Sequence, residues 1–215
     1  MTHGDGMKEG LVTFGRAAEA EYTEKKSVFI GQASPAESVE EAETFLLSVR
    51  EKHAGARHHV FAYMVGSAVR CSDDGEPKGT GGVPVLEVLK KSGVDQAILV
   101  VTRYFGGILL GAPGLVRAYS KAASMAACAA GVVLYKSYTE CRLVIDYAMY
   151  DRVMYEIGKR DILVDGTDFA GEVTLRLAVL TRDYEDFCRM VFSMTGGKRV
   201  PQTGALRLDG REEKE

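Results

Sequence analysis

The chain has 215 residues, which is room for one large domain or two small ones, and 46% of them are hydrophobic, enough for a buried core. A net charge of −3 excludes a polybasic nucleic-acid tail, and 27% charged residues is too few for a disordered polyelectrolyte. Glycine is in excess, 24 residues, and nine of them fall between Gly75 and Gly114 without a G-X-Y period, so the chain is not collagen-like.

In chain order, residues 1–20 read as a flexible leader without the apolar core of a signal peptide. A strand is predicted near Lys26–Ala33. Ser38 then opens a helix, with Glu41 at capping-box spacing and Val39, Ala42, Phe45, Leu46 and Val49 on one face. Val60–Val65 and Ala68–Ser72 read as paired strands. A Gly-rich loop, 73–82, leads into a helix with Pro84 in its first turn and Gly93 at its end. Gln96–Thr102 is an apolar run that reads as a buried strand. A second Gly-rich loop, 105–114, opens a long helix to about Ala130. That helix has an alanine face suited to close packing, and Arg117, Ser120, Lys121 and Ser124 form a polar stripe.

From about Ser137 the pattern becomes β-α-β-β-α-β, the order of a ferredoxin-like plait. Its strands are expected at 139–147, 162–169, 172–180 and 204–208. Its helices are expected at 150–160 and from Asp183, which is read as a cap. The expected organisation is therefore α+β in two domains: 21–136 and 137–208, with 209–215 a frayed tail. No C-x-x-C pair occurs among Cys71, Cys128, Cys141 and Cys188, which fits a reducing compartment. The expectation is a cytoplasmic protein without membrane association.

Three clusters carry possible chemistry. The first is SDDGEPKGTGGVP (72–84), where Asp73, Asp74, Glu76, Lys78 and Thr80 precede a helix start. Glycines and a helix N-terminus suit a phosphate, because free amides point outward there. The alternative is a tight turn with solvated acids. The second is RYFGGILLGAPGL (103–115). Here Arg103 and Arg117 are read as reaching one anion, Tyr104 and Phe105 as base-stacking rings, and Gly106 and Gly107 as the turn. The alternative makes the aromatics core residues. The third is His58–His59 at a strand start, where alternation sends the two rings to opposite faces. No Walker A, dinucleotide-fold, zinc-protease or nucleophile-elbow spacing is present. Nothing calls for a cofactor or a metal.

Taken together, His58, SDDGEPKGTGGVP and VVTRYFGGILLGAPGLVRAYSKA (100–122) resemble the YigZ/Impact family over roughly residues 20–135. The tail resembles the small C-terminal domain of the bacterial members. The resemblance implies an N-terminal domain like the second domain of a small-subunit ribosomal protein, a βαβ-type sandwich. It implies a C-terminal plait like the last domain of elongation factor G. It also implies a role in translation, since eukaryotic Impact binds a partner of a kinase that targets an initiation factor. The chain departs from the family pattern at Gly81, where alanine is common, at Leu109, where lysine is common, and at Pro113, where glycine is common. The last two departures weaken an anion cradle in the second loop and make 72–84 the expected contact loop.

The leading expectation is a non-enzymatic protein that binds nucleic acid or the ribosome as a translation regulator. One alternative is a protein-interaction regulator with a translation-related partner. The other is a metal-assisted enzyme acting on a phosphorylated small molecule, with Asp73, Asp74 or Glu76 as ligands and His58 as acid or base.

Overall fold

The computed structural model describes residues 10–212, and its contacts divide them into two units, Leu11–Leu134 and Tyr135–Gly210. Both are mixed α+β.

The first unit contains β1 (Leu11–Phe14), β2 (Ala18–Glu24), β3 (Ser27–Pro35), α1 (Val39–Lys52), β4 (His58–Val65), β5 (Ala68–Ser72), α2 (Gly82–Ser92), β6 (Ala97–Tyr104) and α3 (Gly111–Ala130). Its main sheet has the order β2-β3-β6-β4-β5 and is antiparallel throughout. Period-2 alternation gives the sheet two apolar faces. Val60, Ala62, Leu99 and Val101 face α2 and α3, while Phe61, Tyr63, Ile98 and Val100 face α1. The result is three layers, with one helix on one side and two on the other.

The capping at α1 differs slightly from the expected box. Ser38 Oγ accepts from the Glu41 N–H at 3.2 Å, but Glu41 reaches back to the N–H of Glu37, at 2.8 Å, rather than to that of Ser38. α2 ends at Gly93 with φ +68, a left-handed value that favours glycine.

Residues 11–20, expected as leader, form β1 and the first half of β2, while residues 1–9 of that leader lie outside the described residues. The segment Ala18–Glu24 alternates cleanly, but its inward positions include alanines, which are poor strand formers. They suit this strand because α3 lies against it. α3 buries Ala118, Ala122, Ala123 and Ala126, and a Cβ built on Gly31 of β3 would sit 2.4 Å from the Ala122 carbonyl oxygen. Small residues on both surfaces let the helix backbone approach the sheet closely.

The second unit takes most of β7 (Val132–Ile145), then α4 (Tyr147–Gly158), β8 (Ile162–Phe169), β9 (Val173–Leu180), α5 (Tyr184–Met194) and β10 (Gln202–Glu212). Its strand order is β10-β7-β9-β8, the order of a ferredoxin-like plait. Leu143, Ile145, Leu175 and Leu177 meet Val153, Ile157, Phe187 and Val191 in its core. Two details differ from expectation. A 3-10 turn, Thr181–Asp183, precedes α5, and the Asp183 side chain makes no capping bond. The last strand runs to Glu212, through residues expected as tail. Among the described residues no helix is long and apolar enough to cross a membrane.

The close approach at Gly31 gives a direct test. Gly31→Ala drives a methyl into helix backbone, so stability is expected to fall by about 1–3 kcal/mol, seen as a lower urea midpoint with unchanged slope.

Candidate functional site

The first Gly-rich loop turns its acids inward. Asp73 Oδ2 accepts from the Gly79 N–H at 2.8 Å, and Oδ1 accepts from Gly81 at 3.0 Å and Gly82 at 2.8 Å. The N-terminus of α2, expected to hold a phosphate, is thus occupied by the protein's own carboxylate. Partial burial pushes the Asp73 carboxyl up, but the three amide bonds outweigh it and hold the group below the usual carboxylate range.

Asp74 points elsewhere. Its φ of +43 swings the carboxylate to the His59 N–H at 2.7 Å and to Arg50 Nη2 at 2.9 Å. Its carbonyl oxygen lies 2.8 Å from His58 Nδ1. The two adjacent acids therefore serve different partners. Thr80 is buried and donates its hydroxyl to the Pro77 carbonyl at 2.7 Å, whereas Lys78 is exposed.

Glu76 is the deepest of the acids. Its side chain is 4% exposed, and one oxygen accepts from Arg103 Nη1 at 2.6 Å and from the Tyr119 hydroxyl at 2.8 Å. Arg103, at 7% exposure, lies over the Phe29 and Phe105 rings, each at 5.5 Å. The Tyr119 ring meets Phe29 edge-on at 5.1 Å. Burial and the neighbouring Glu76 push the Tyr119 hydroxyl far above its ordinary range, so it stays a neutral donor.

Above this network lies a cavity of 560 Å³, lined by Gly55, Ala56, Arg57, His58, Arg103, Tyr104, Phe105 and Leu109. The register pairs His58 with Arg103 across β4 and β6, which brings two predicted site residues side by side. Among the described residues the buried Arg103 Nε–H has no acceptor. Tyr104 is half-buried, its hydroxyl 3.1 Å from His53 Nδ1. Phe105 is 56% exposed and Leu109 84% exposed. Arg57 and Leu109 were absent from the predicted set. Arg57 carried a signal, since it directly precedes the His pair at a strand start.

Two expectations change. Arg103 and Arg117 do not share an anion: Arg103 is tied to Glu76, and exposed Arg117 lines a different cavity with Tyr22, Glu24, Lys25, Leu110, Gly114, Ala118 and Lys121. Helix geometry explains this. Tyr119 faces inward, and a residue two positions away on a helix lies on the opposite side. The loops also exchange roles. The 73–82 loop is satisfied internally, while the 105–110 loop lines both cavities. Within that loop Gly106 has no room for a side chain, since a Cβ would sit 2.0 Å from the Lys26 backbone, and Gly107 needs its φ of +82. Among the described residues no three His, Cys, Asp or Glu side chains are grouped to hold a metal.

Removing Glu76 strands a buried guanidinium. Glu76→Ala is expected to cost about 3–5 kcal/mol in urea unfolding. Asp73 gives a pH signature. Its carboxyl is depressed in the folded state, so its contribution is complete above the unfolded value of ~3.9 and is lost as pH falls through the folded one. Asp73→Asn is expected to be destabilised at pH 7, with the gap to wild type closing below about pH 4.

The chain matches the Impact N-terminal domain over residues 25–127 and a domain of unknown function, DUF1949, over residues 143–198. It is 34% identical to the IMPACT family member YvyE of Bacillus subtilis, across 93% of this chain and 94% of that one. It is 35% identical to YigZ of Escherichia coli, across 80% and 87%. The mouse Protein IMPACT is 31% identical over 41% of this chain and 30% of its own. A crystal structure described as that of an hypothetical protein superposes with a TM-score of 0.60 at 32% identity, covering 97% of this chain and all of that one. With both domain matches in order and this level of identity along nearly the whole length, the chain belongs to the IMPACT family.

Proposed function

We propose that the protein is a translation-associated regulator that binds single-stranded RNA, free or on the ribosome, through the cavity beside the 105–110 loop. One observation carries the reading: Arg57 and Arg103 line one cavity whose rim holds a half-exposed aromatic ring, Phe105. A nucleotide matches both features. Its phosphate or base carbonyl accepts from Arg103, and its base stacks on Phe105. Arg57 and His58 line the same cavity, and Arg57 adds positive charge. A volume of 560 Å³ is within the range of ligand pockets. The acids from which the metal-assisted reading draws, Asp73, Asp74 or Glu76, each hold a protein partner instead, which favours binding over hydrolysis.

A second reading has its own support. Phe105, Ile108 and Leu109 are exposed large apolar residues in one short loop, and such a patch also suits a protein partner. The two readings separate by salt. RNA binding weakens steeply as salt rises, whereas a complex held by apolar contact survives high salt and nuclease.

Fluorescence anisotropy with a short single-stranded RNA tests the proposal. Wild type is expected to bind at low salt. Phe105→Ala is expected to weaken binding about 5- to 150-fold, the loss of one stacked base worth ~1–3 kcal/mol, without changing the salt slope. No RNA binding at low salt would overturn it.

A further inference from the structure

On the other side of the 105–110 loop is the cavity of 360 Å³ formed by the β2–β3 turn and α3. Three of its side chains are cations, Lys25, Arg117 and Lys121. No ion pair or hydrogen bond holds any of them among the described residues. The one acid in the lining, Glu24, accepts from the Tyr22 hydroxyl at 2.7 Å. Three free cations therefore face one carboxylate already held by a phenol.

The turn that presents Lys25 is strained. Glu24 pairs with Ser27, so Lys25 and Lys26 are the two central residues of a tight hairpin. Their φ values are +44 and +68, the pattern of a turn that strongly favours Asn-Gly. A left-handed conformation is unfavourable for a residue that carries a side chain. Two consecutive lysines are a poor choice for the turn and a good one for placing ammonium groups. The turn is also pinned. The Gly106 N–H donates to Ser27 Oγ at 3.1 Å, and the missing Gly106 side chain lets the two backbones meet. The loop that carries Phe105 thus rests directly on the lysine turn.

On α3, Arg117 and Lys121 are four residues apart and share a face. Gly114 lies on the same stripe, one turn nearer the helix start, and leaves the floor open. The first turn of α3 contains no acid and no side-chain cap. α2 differs, since Asp73 closes its amides.

We infer that this second cavity is a phosphate station for the RNA backbone, continuous with the Phe105 platform across the 105–110 loop. The inference rests on the RNA-binding reading and adds the cations that follow the strand away from the stacked base. Lys25, Arg117 and Lys121 each neutralise backbone phosphate, and their removal lowers the salt dependence of binding rather than the stacking.

The discriminating variant is Lys25→Asn with Lys26→Gly. It installs the residues the turn prefers, so the melting temperature is expected to rise, which excludes misfolding as the cause of lost binding. RNA affinity is expected to fall, and the slope of log K against log salt to become shallower by about 0.7 per lost phosphate contact. Arg117→Gln and Lys121→Gln are each expected to lower the slope by about 0.7 as well. Inorganic polyphosphate, which has charge and no bases, is expected to bind wild type and Phe105→Ala alike and to bind these charge variants more weakly. If RNA affinity and slope are unchanged in the turn variant and in both helix variants, the phosphate station is overturned and the Phe105 reading stands. If polyphosphate binds as expected but RNA binds no better than polyphosphate and is indifferent to Phe105→Ala, the Phe105 reading falls and the phosphate station stands.

Discussion

The ion pair between Glu76 and Arg103 joins the parts of the first unit that need joining. Glu76 comes from a loop, Arg103 from the end of the central strand β6, and Tyr119, which shares the same carboxylate oxygen, from α3. All three are well shielded from water, so the interaction is strong only while it is complete. A buried guanidinium without its carboxylate is far costlier than no guanidinium at all. The pair therefore dictates where the 73–82 loop can lie and which turn of α3 faces the sheet.

From that constraint the surface follows. With the inner edge of Arg103 held by Glu76, its guanidinium lies between the Phe29 and Phe105 rings. Phe29 is buried and Phe105 is not. The same cation thus anchors one ring in the core and steadies another at the surface. With Tyr119 turned inward, Arg117 and Lys121 are directed to the outside of α3. One internal network thus sets both cavities, and Arg103 is its one member that lines the first.

Much of this was legible in the sequence, and the failures have physical causes. β3 to β6 and their helices announced themselves through bulky alternation, a Ser38–Glu41 cap and the Pro84–Gly93 punctuation. β2 did not, because its inward alanines suit the α3 backbone and not the usual strand preferences. The amide contacts of Asp73 are not legible in the sequence for a subtler reason. An acid before a helix normally caps amides two or three residues on. Asp73 reaches Gly81 and Gly82, eight and nine residues on, across a loop whose path only the fold specifies. The polar stripe of Arg117, Ser120, Lys121 and Ser124 was correctly read. Set beside an inward Tyr119, it already implied that Arg117 and Arg103 face different ways.

The two helix starts show how similar sequence chemistry divides into different roles. Both follow glycine-rich loops, and both offer amides to an anion. At α2 the anion is internal, and its reach back from the loop closes the structure. At α3 the loop has no acid. Its glycines serve contact instead, with Gly106 seated on the Lys25–Lys26 turn. A closed loop has low affinity for external anions, because a phosphate would have to displace a carboxylate held by three amides. The second loop lies beside cations that no acid pairs among the described residues, and its helix start holds no carboxylate of its own. Leu109 and Pro113, which stand where the family pattern has lysine and glycine, do not alter this balance. Leu109 widens the apolar rim near Phe105, and the positive charge comes from Lys25 and the outer face of α3. The charge beside this loop thus sits on the elements that brace it, which fixes it more rigidly than a lysine at a loop tip.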